Sequence, residues 1–409
     1  MRKRLIGAVL VLGMVGAACS STSPQTQEPA PSASKTDSAP SSPAMSGSAD
    51  LRTTLTLLLD GHEYLAGIAI FNAVNLGMDN PLTEAAVGAL DENSVQLSEA
   101  IASVYGQEAG DAFLPLWRKH IGFFVDYTLG KAGGDNAKAA KARKDLDGYR
   151  ADFGAFLASA NPNLTKDAVA KALVPHVQAT FTAIDAVVAK KPGQFALLSK
   201  GASHMVGIAE VLSDAISRQF PEKFSGDATG SASGLRATLT HGLVEHEYLA
   251  GIAVYAAVNL GMDSKITGGA VDALDGNSVA LSQAIASVYG KEAGDAFLPL
   301  WRKHIGFFVD YTLAKAGGDE AKAQKAANDL DGYRADFGAF LASANPNLTK
   351  DAVADVLVRH VESTFAAIDA VVAKDASAFS KLREAAQHMD HIAAVLADAI
   401  AKQFPKKFA

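Results

Sequence analysis

Cysteine is all but missing from this chain. Cys19 is the only one in 409 residues, so no intrachain disulfide holds the fold. Concentrated positive charge is missing too. The formal net charge is −7 and no Lys/Arg-rich stripe crosses the folded part, which excludes the basic face that nucleic-acid binding requires. Aromatic residues are few, at 7%, and no stretch sustains the apolar–polar alternation of strands. Catalytic signatures are absent as well. The chain has no His-Glu-x-x-His, no Glu-x-x-His, no Cys-x-x-Cys-His and no Gly-x-Ser-x-Gly. These absences remove the zinc-protease, di-iron carboxylate, c-type haem and serine-hydrolase readings, and they favour a non-enzymatic protein.

What the chain does have begins at its start. Arg2, Lys3 and Arg4 precede an apolar run, Leu5 to Val15, that is too short for a comfortable membrane span. Gly16-Ala17-Ala18-Cys19 follows. Small residues directly before a cysteine resemble the lipobox of bacterial lipoprotein signal peptides, although Gly16 stands where that family prefers Leu. The resemblance implies cleavage before Cys19, acylation of that cysteine and an address on the extracytoplasmic face of the cell membrane. The partner it implies is the lipid bilayer, and two or three acyl chains would anchor the protein stably.

Residues 20–50 are rich in Ser, Pro, Ala, Thr and Gln, with almost nothing large and apolar to bury, and predict a disordered tether. From Leu51 the chain repeats itself at an offset of 184: Leu51 matches Leu235, His62 matches His246, and Trp117 matches Trp301. A period this long is a whole-domain duplication and not a solenoid repeat. The expected organisation is a first repeat over 51–224, a Gly/Ser linker over 225–234 and a second repeat over 235–409. Apolar residues recur at three- and four-residue spacing, broken by Gly, Pro and Asn clusters. The fold class this predicts is all-α, as two tandem antiparallel helical bundles of about six helices each. The fifth helix is expected over Thr165–Lys190, and the third bends near Pro115. The segments Leu114–Ile121 and Phe124–Tyr127 give the repeat a likeness to helical domains of uncharacterised secreted bacterial proteins, which supports fold and address and implies no chemistry.

Each repeat carries four matched histidines: His62, His120, His176 and His204, then His246, His304, His360 and His388. His120 has Phe113, Leu116, Trp117, Phe124 and Tyr127 at same-face spacing, and His62 and His176 also sit on apolar stripes. Buried imidazoles need partners, and bundle cores commonly supply metal sites. The expectation is therefore one His-lined site per repeat for a transition metal (copper, iron or zinc) or haem b. Glu63 and Glu247 lie beside the first histidine of each set, as ligands or orienting groups. Asn93, Tyr127 and their counterparts Asn277 and Tyr311 are candidates for the supporting shell. Met205 and Met389 read as core, Trp117 as packing, and the copy-specific His241 and His391 as peripheral or copy-specific ligands. The alternative is a structural or interaction module of the cell envelope with a protein partner, its histidines serving only as core hydrogen-bonding groups.

Overall fold

Helix starts in the chain are set by short polar side chains. In the computed structural model, which describes residues 42–409, the Ser46 side chain accepts from the Ala49 amide. Asn80 accepts from Leu82 ahead of Pro81, Asp135 from Lys138, and Thr165 from Ala168. Each satisfies one of the free N–H groups that a helix start exposes. At the other ends Gly77 and Gly106 take positive φ (92° and 93°), which glycine adopts without a Cβ penalty.

These signals produce seven α-helices in the first repeat: α1 Gly47–Leu76, α2 Pro81–Tyr105, α3 Gln107–Gly133, α4 Asn136–Ala160, α5 Lys166–Ala172, α6 Val174–Val188 and α7 Gln194–Gln219. The second repeat gives the matching seven: α8 Ser231–Leu260, α9 Lys265–Tyr289, α10 Lys291–Ala316, α11 Glu320–Ala344, α12 Lys350–Val356, α13 Val358–Val372 and α14 Ala378–Gln403. The fold is all-α, with no strand among the described residues. None of these helices is long and apolar enough to cross a membrane. In each repeat successive helices pack side by side and the last returns against the first, so α7 closes on α1 and α14 on α8. α3 and α10 run unbroken past Pro115 and Pro299.

Three expectations are corrected. The single fifth helix is two: α5 ends at Leu173 and α6 starts afresh at Val174. Pro175 suits that start, yet α12 and α13 break at the same place with Arg359 there, so proline is not the only cause. The tether does not extend to residue 50. Pro43–Met45 forms a 3-10 turn, Ala44 is fully buried and α1 begins at Gly47. The segment before residue 42, including Cys19, lies outside the described residues. The linker is not a free strand of chain either. The Ser48 amide donates to the Ser225 carbonyl (3.0 Å), Asp227 accepts from Thr229, Ala228 is buried, and α8 starts at Ser231.

Both repeats belong to one compact unit, because α1 and α8 pack on each other as well as on their own bundles. That explains why α1 is buried round most of its circumference. The contacts are reciprocal. Arg52 donates to the Ala228 carbonyl and its counterpart Arg236 to the Ala44 carbonyl, while Tyr64 and Tyr248 stack at 5.2 Å between ring centroids. Reciprocity of this kind is the mark of a two-fold interface, here built within one chain.

One feature of this interface breaks the symmetry. His241 replaces Leu57 of the first repeat, and its Nδ1 lies 2.9 Å from the fully buried Asp60, whose own counterpart is Val244. Asp60 holds His241 protonated, its pKa pushed up to about 9 against a large opposing burial cost. Beside them Tyr64 donates to Glu245 (2.8 Å), which also accepts from Asn277 and Ser199. Removing one partner of such a pair strands a buried charge. His241→Leu is therefore expected to cost about 3–5 kcal/mol in urea denaturation. The double variant Asp60→Val/His241→Leu, which removes both charges, is expected to recover most of that loss; equal destabilisation of the two variants would refute the pairing.

Candidate metal centre

The helices bring three imidazoles of each repeat together. His62 sits midway along α1, His120 midway along α3, and His176 in the first turn of α6, where the break at Leu173 places it. The Nε2 atoms of His62 and His120 are 3.2 Å apart, and those of His246 and His304 are also 3.2 Å apart. The third ring lies 6.4 Å from the first, centroid to centroid, in both repeats. In the second repeat one ligand atom from each of His246, His304 and His360 falls within a 4.8 Å group. All six rings are buried.

A carboxyl stands behind the third imidazole. Glu63 Oε2 lies 3.4 Å from His176 Nδ1, and Glu247 Oε2 lies 3.3 Å from His360 Nδ1. The Thr180 and Thr364 hydroxyls donate to the histidine carbonyls in their own helices (2.9 and 2.7 Å) and lie 3.3 and 3.1 Å from the same carboxyls. With Nδ1 turned to the carboxyl, the ligand nitrogen left to His176 and His360 is Nε2. A carboxyl that fixes a histidine in this way sets its tautomer and ring plane. The copies differ by one methyl group here. Gly201 packs so closely on Glu63 that an added Cβ would lie within 2.3 Å of Oε1, and the second repeat has Ala385 at that position. Correspondingly, Glu247 sits nearer its threonine (3.1 Å) than Glu63 does (3.3 Å).

Burial decides the protonation states. It drives His62 and His246 well below the usual histidine range, helped by the charges their neighbouring histidines would carry. His120 and His304 are pushed down to about 3, and His176 and His360 to about 4, again chiefly by burial. Burial pushes Glu63 and Glu247 up to about 8, against the lowering effect of the threonine hydrogen bonds. At neutral pH each cluster is thus three neutral imidazoles and one carboxyl that still holds its proton. Neutral imidazole is the ligand form metal binding requires, and of the paired Nε2 atoms one carries the proton of their shared hydrogen bond, so an ion takes both only after that ring shifts its proton to Nδ1.

A route reaches the cluster from the surface. In the first repeat a cavity of about 70 Å³ is lined at its inner end by His62, Glu63 and His176 and at its rim by the exposed Met78, Val87 and Leu129. The second repeat exposes the same rim positions, Met262, Val271 and Leu313.

The chain matches no family model, no curated protein and no solved structure.

Other residues singled out from sequence lie elsewhere. His204 and His388 are half-buried on α7 and α14 and stand outside the three-ring groups; their charge reaches His176 and His360 only as a lowering influence. Asn93 donates to the Leu58 carbonyl, and Asn277 to the Gly242 carbonyl and Glu245, so both tie α2 or α9 to the neighbouring helix. Tyr127 and Tyr311 donate to Asp185 and Asp369, away from the imidazoles. Sequence reasoning read Trp117 as packing but missed that it and Tyr149 pack on the imidazoles themselves. Trp117 packs against both His62 and His120 (4.8 and 4.5 Å between centroids), and Tyr149 stacks on His120 at 5.2 Å. Their identity in the two copies carried no signal, because the segments around them are identical throughout.

Proposed function

We propose that this protein binds transition-metal ions, one in each repeat, through His62, His120 and His176 and through His246, His304 and His360. The observation that carries the reading is the 3.2 Å separation of the paired Nε2 atoms in both repeats, with the third imidazole joining them in a 4.8 Å group of ligand atoms in the second. Two imidazole nitrogens about 2.0–2.1 Å from one tetrahedral ion stand roughly 3.3–3.4 Å apart, so the pair already has the spacing of adjacent corners. Ligands on opposite faces of a haem iron would stand roughly 4 Å apart, so the pair favours a bare ion over haem. Three imidazoles suit zinc or copper. Glu63 and Glu247 orient the third histidine and, once ionised, offset one unit of the ion's charge in an apolar core. Acylated Cys19 would hold the two-site unit at the extracytoplasmic face of the membrane, in a binding and not a catalytic role. Duplication then doubles capacity without a second chain.

Equilibrium dialysis of untagged protein against Zn²⁺, and against Cu⁺ under reductant, tests this. The expected result is two ions per chain, falling to one in His304→Ala and to none in His120→Ala/His304→Ala. Unchanged metal content in the double variant would refute the assignment.

A further inference from the structure

The metal route does not treat all ions alike. In the first repeat its wall between rim and cluster includes Ala66, Ala69, Ile70 and Phe124, and among the described residues no charged side chain other than Glu63 lines it. The Thr128 hydroxyl, also on the wall, already donates to the Phe124 carbonyl. An ion taking this route therefore gives up its water to apolar surroundings. That cost rises with the square of the charge, so a monocation meets about a quarter of the barrier that a dication of equal size meets. The cluster repeats the preference. One carboxyl stands against the imidazoles of each repeat, Glu63 or Glu247. Ionised, it balances a monocation completely, whereas a dication keeps one unit of uncompensated charge among buried rings. The rim supplies a third observation. Met78 is 38% and Met262 50% exposed, more open than a packing role demands. Both keep their place where the residues just beyond change, Asn80-Pro81-Leu82 becoming Ser264-Lys265-Ile266. Of the rim residues Met78, Val87 and Leu129, only the methionine carries an atom that can ligate a metal. Thioether sulfur, soft and uncharged, favours Cu⁺.

We propose that each repeat selects Cu⁺ over divalent ions, with the Met78 (Met262) thioether as capture ligand at the mouth and the three histidines, balanced by Glu63 (Glu247), as the resting site. The ion enters and stays as Cu⁺, so no electron moves. It passes from thioether sulfur to imidazole nitrogen as its carrier ligands leave, and the glutamate proton is released to solvent. This rests on the metal reading and narrows it to one ion.

The test uses full-length, untagged protein without oxygen. Cu⁺ supplied as its acetonitrile complex, equimolar with the sites, should displace most of the zinc from zinc-loaded protein. Uptake rates are read from the loss of colour as Cu⁺ leaves bicinchoninate, and for Zn²⁺ from a chromophoric zinc chelator. Met78→Leu/Met262→Leu conserves volume at two exposed positions, so the fold should be kept. This variant should take up Cu⁺ about tenfold more slowly, as loss of one weak ligand at the entry barrier implies, to the same final stoichiometry and with zinc uptake unchanged. Retention of zinc against equimolar Cu⁺, or Cu⁺ uptake by the variant at the wild-type rate, would overturn the proposal. Protein that binds zinc but not Cu⁺ defeats this inference alone, whereas protein that takes neither ion defeats the metal reading as well.

Discussion

Acidification from pH 6.5 to pH 4.5 is expected to remove most of the stability of the metal-free protein. The six clustered histidines have folded pKa values below the unfolded value of about 6.5: about 3 for His120 and His304, about 4 for His176 and His360, and well below the usual histidine range for His62 and His246. A depressed pKa contributes stability that is complete above the unfolded value and is lost as pH falls toward the folded one, at about 1.4 kcal/mol per pH unit for each group. Glu63 and Glu247, raised to about 8, work in the opposite sense, their contribution declining as pH rises. Six groups against two leave a net loss of roughly 5–6 kcal/mol per pH unit below 6.5. A typical folded chain has only about 5–15 kcal/mol to lose. Above pH 6.5 the glutamates, and His241 as pH rises through about 9, take over and stability declines again. Urea denaturation in chelator across pH 4.5–9 should therefore show a maximum near pH 6.5. His120→Leu/His304→Leu, which keeps the site apolar, should roughly halve the slope of the acid limb. A wild-type profile level between pH 6.5 and 4.5 would mean that the rings are not buried together.

Metal loading is expected to have an effect of similar size and opposite sign. An ion that binds only the folded chain adds about 4 kcal/mol per site when free metal exceeds the dissociation constant a thousandfold, and two sites add twice that. The melting temperature should rise in Zn²⁺ at pH 7, and the rise should shrink below pH 6 as protons compete for the imidazoles. Because Glu63 and Glu247 hold their protons at pH 7 and the histidines do not, binding should release about one proton per site. Calorimetry in buffers of different ionisation enthalpy reads that number. Glu63→Gln/Glu247→Gln should reduce the release to near zero while metal still binds. Release of three protons per site would show that the histidines were charged beforehand.

How much of this was legible in the sequence depends on the range of the physics involved. Helix identity and most boundaries were readable, because Asn80, Asp135 and Thr165 act on amides only two or three residues away. The burial of His62, His120 and His176 was readable as well, from the apolar residues sharing their helix faces. Their convergence was not, because nothing within one helix states which other face it meets. His204 looked equivalent by repetition and falls outside the group, its helix turning it toward half-exposed surroundings. The union of the two repeats was missed, although a signal existed. Leu57, Asp60 and Gly61 of the first copy become His241, Val244 and Glu245 in the second, three changes of polarity within one turn of an otherwise retained helix. Gain of a histidine in one copy opposite an aspartate kept in the other is what a contact between copies would leave behind.

X-ray absorption at the zinc edge of protein loaded with two equivalents of Zn²⁺ tests the central claim most directly. The account predicts a four-coordinate shell of about three nitrogen donors near 2.0–2.1 Å, with the outer-shell scattering that imidazole rings produce. A six-coordinate oxygen shell without imidazole scattering, unchanged in His120→Ala/His304→Ala, would place the metal on surface carboxylates and contradict it.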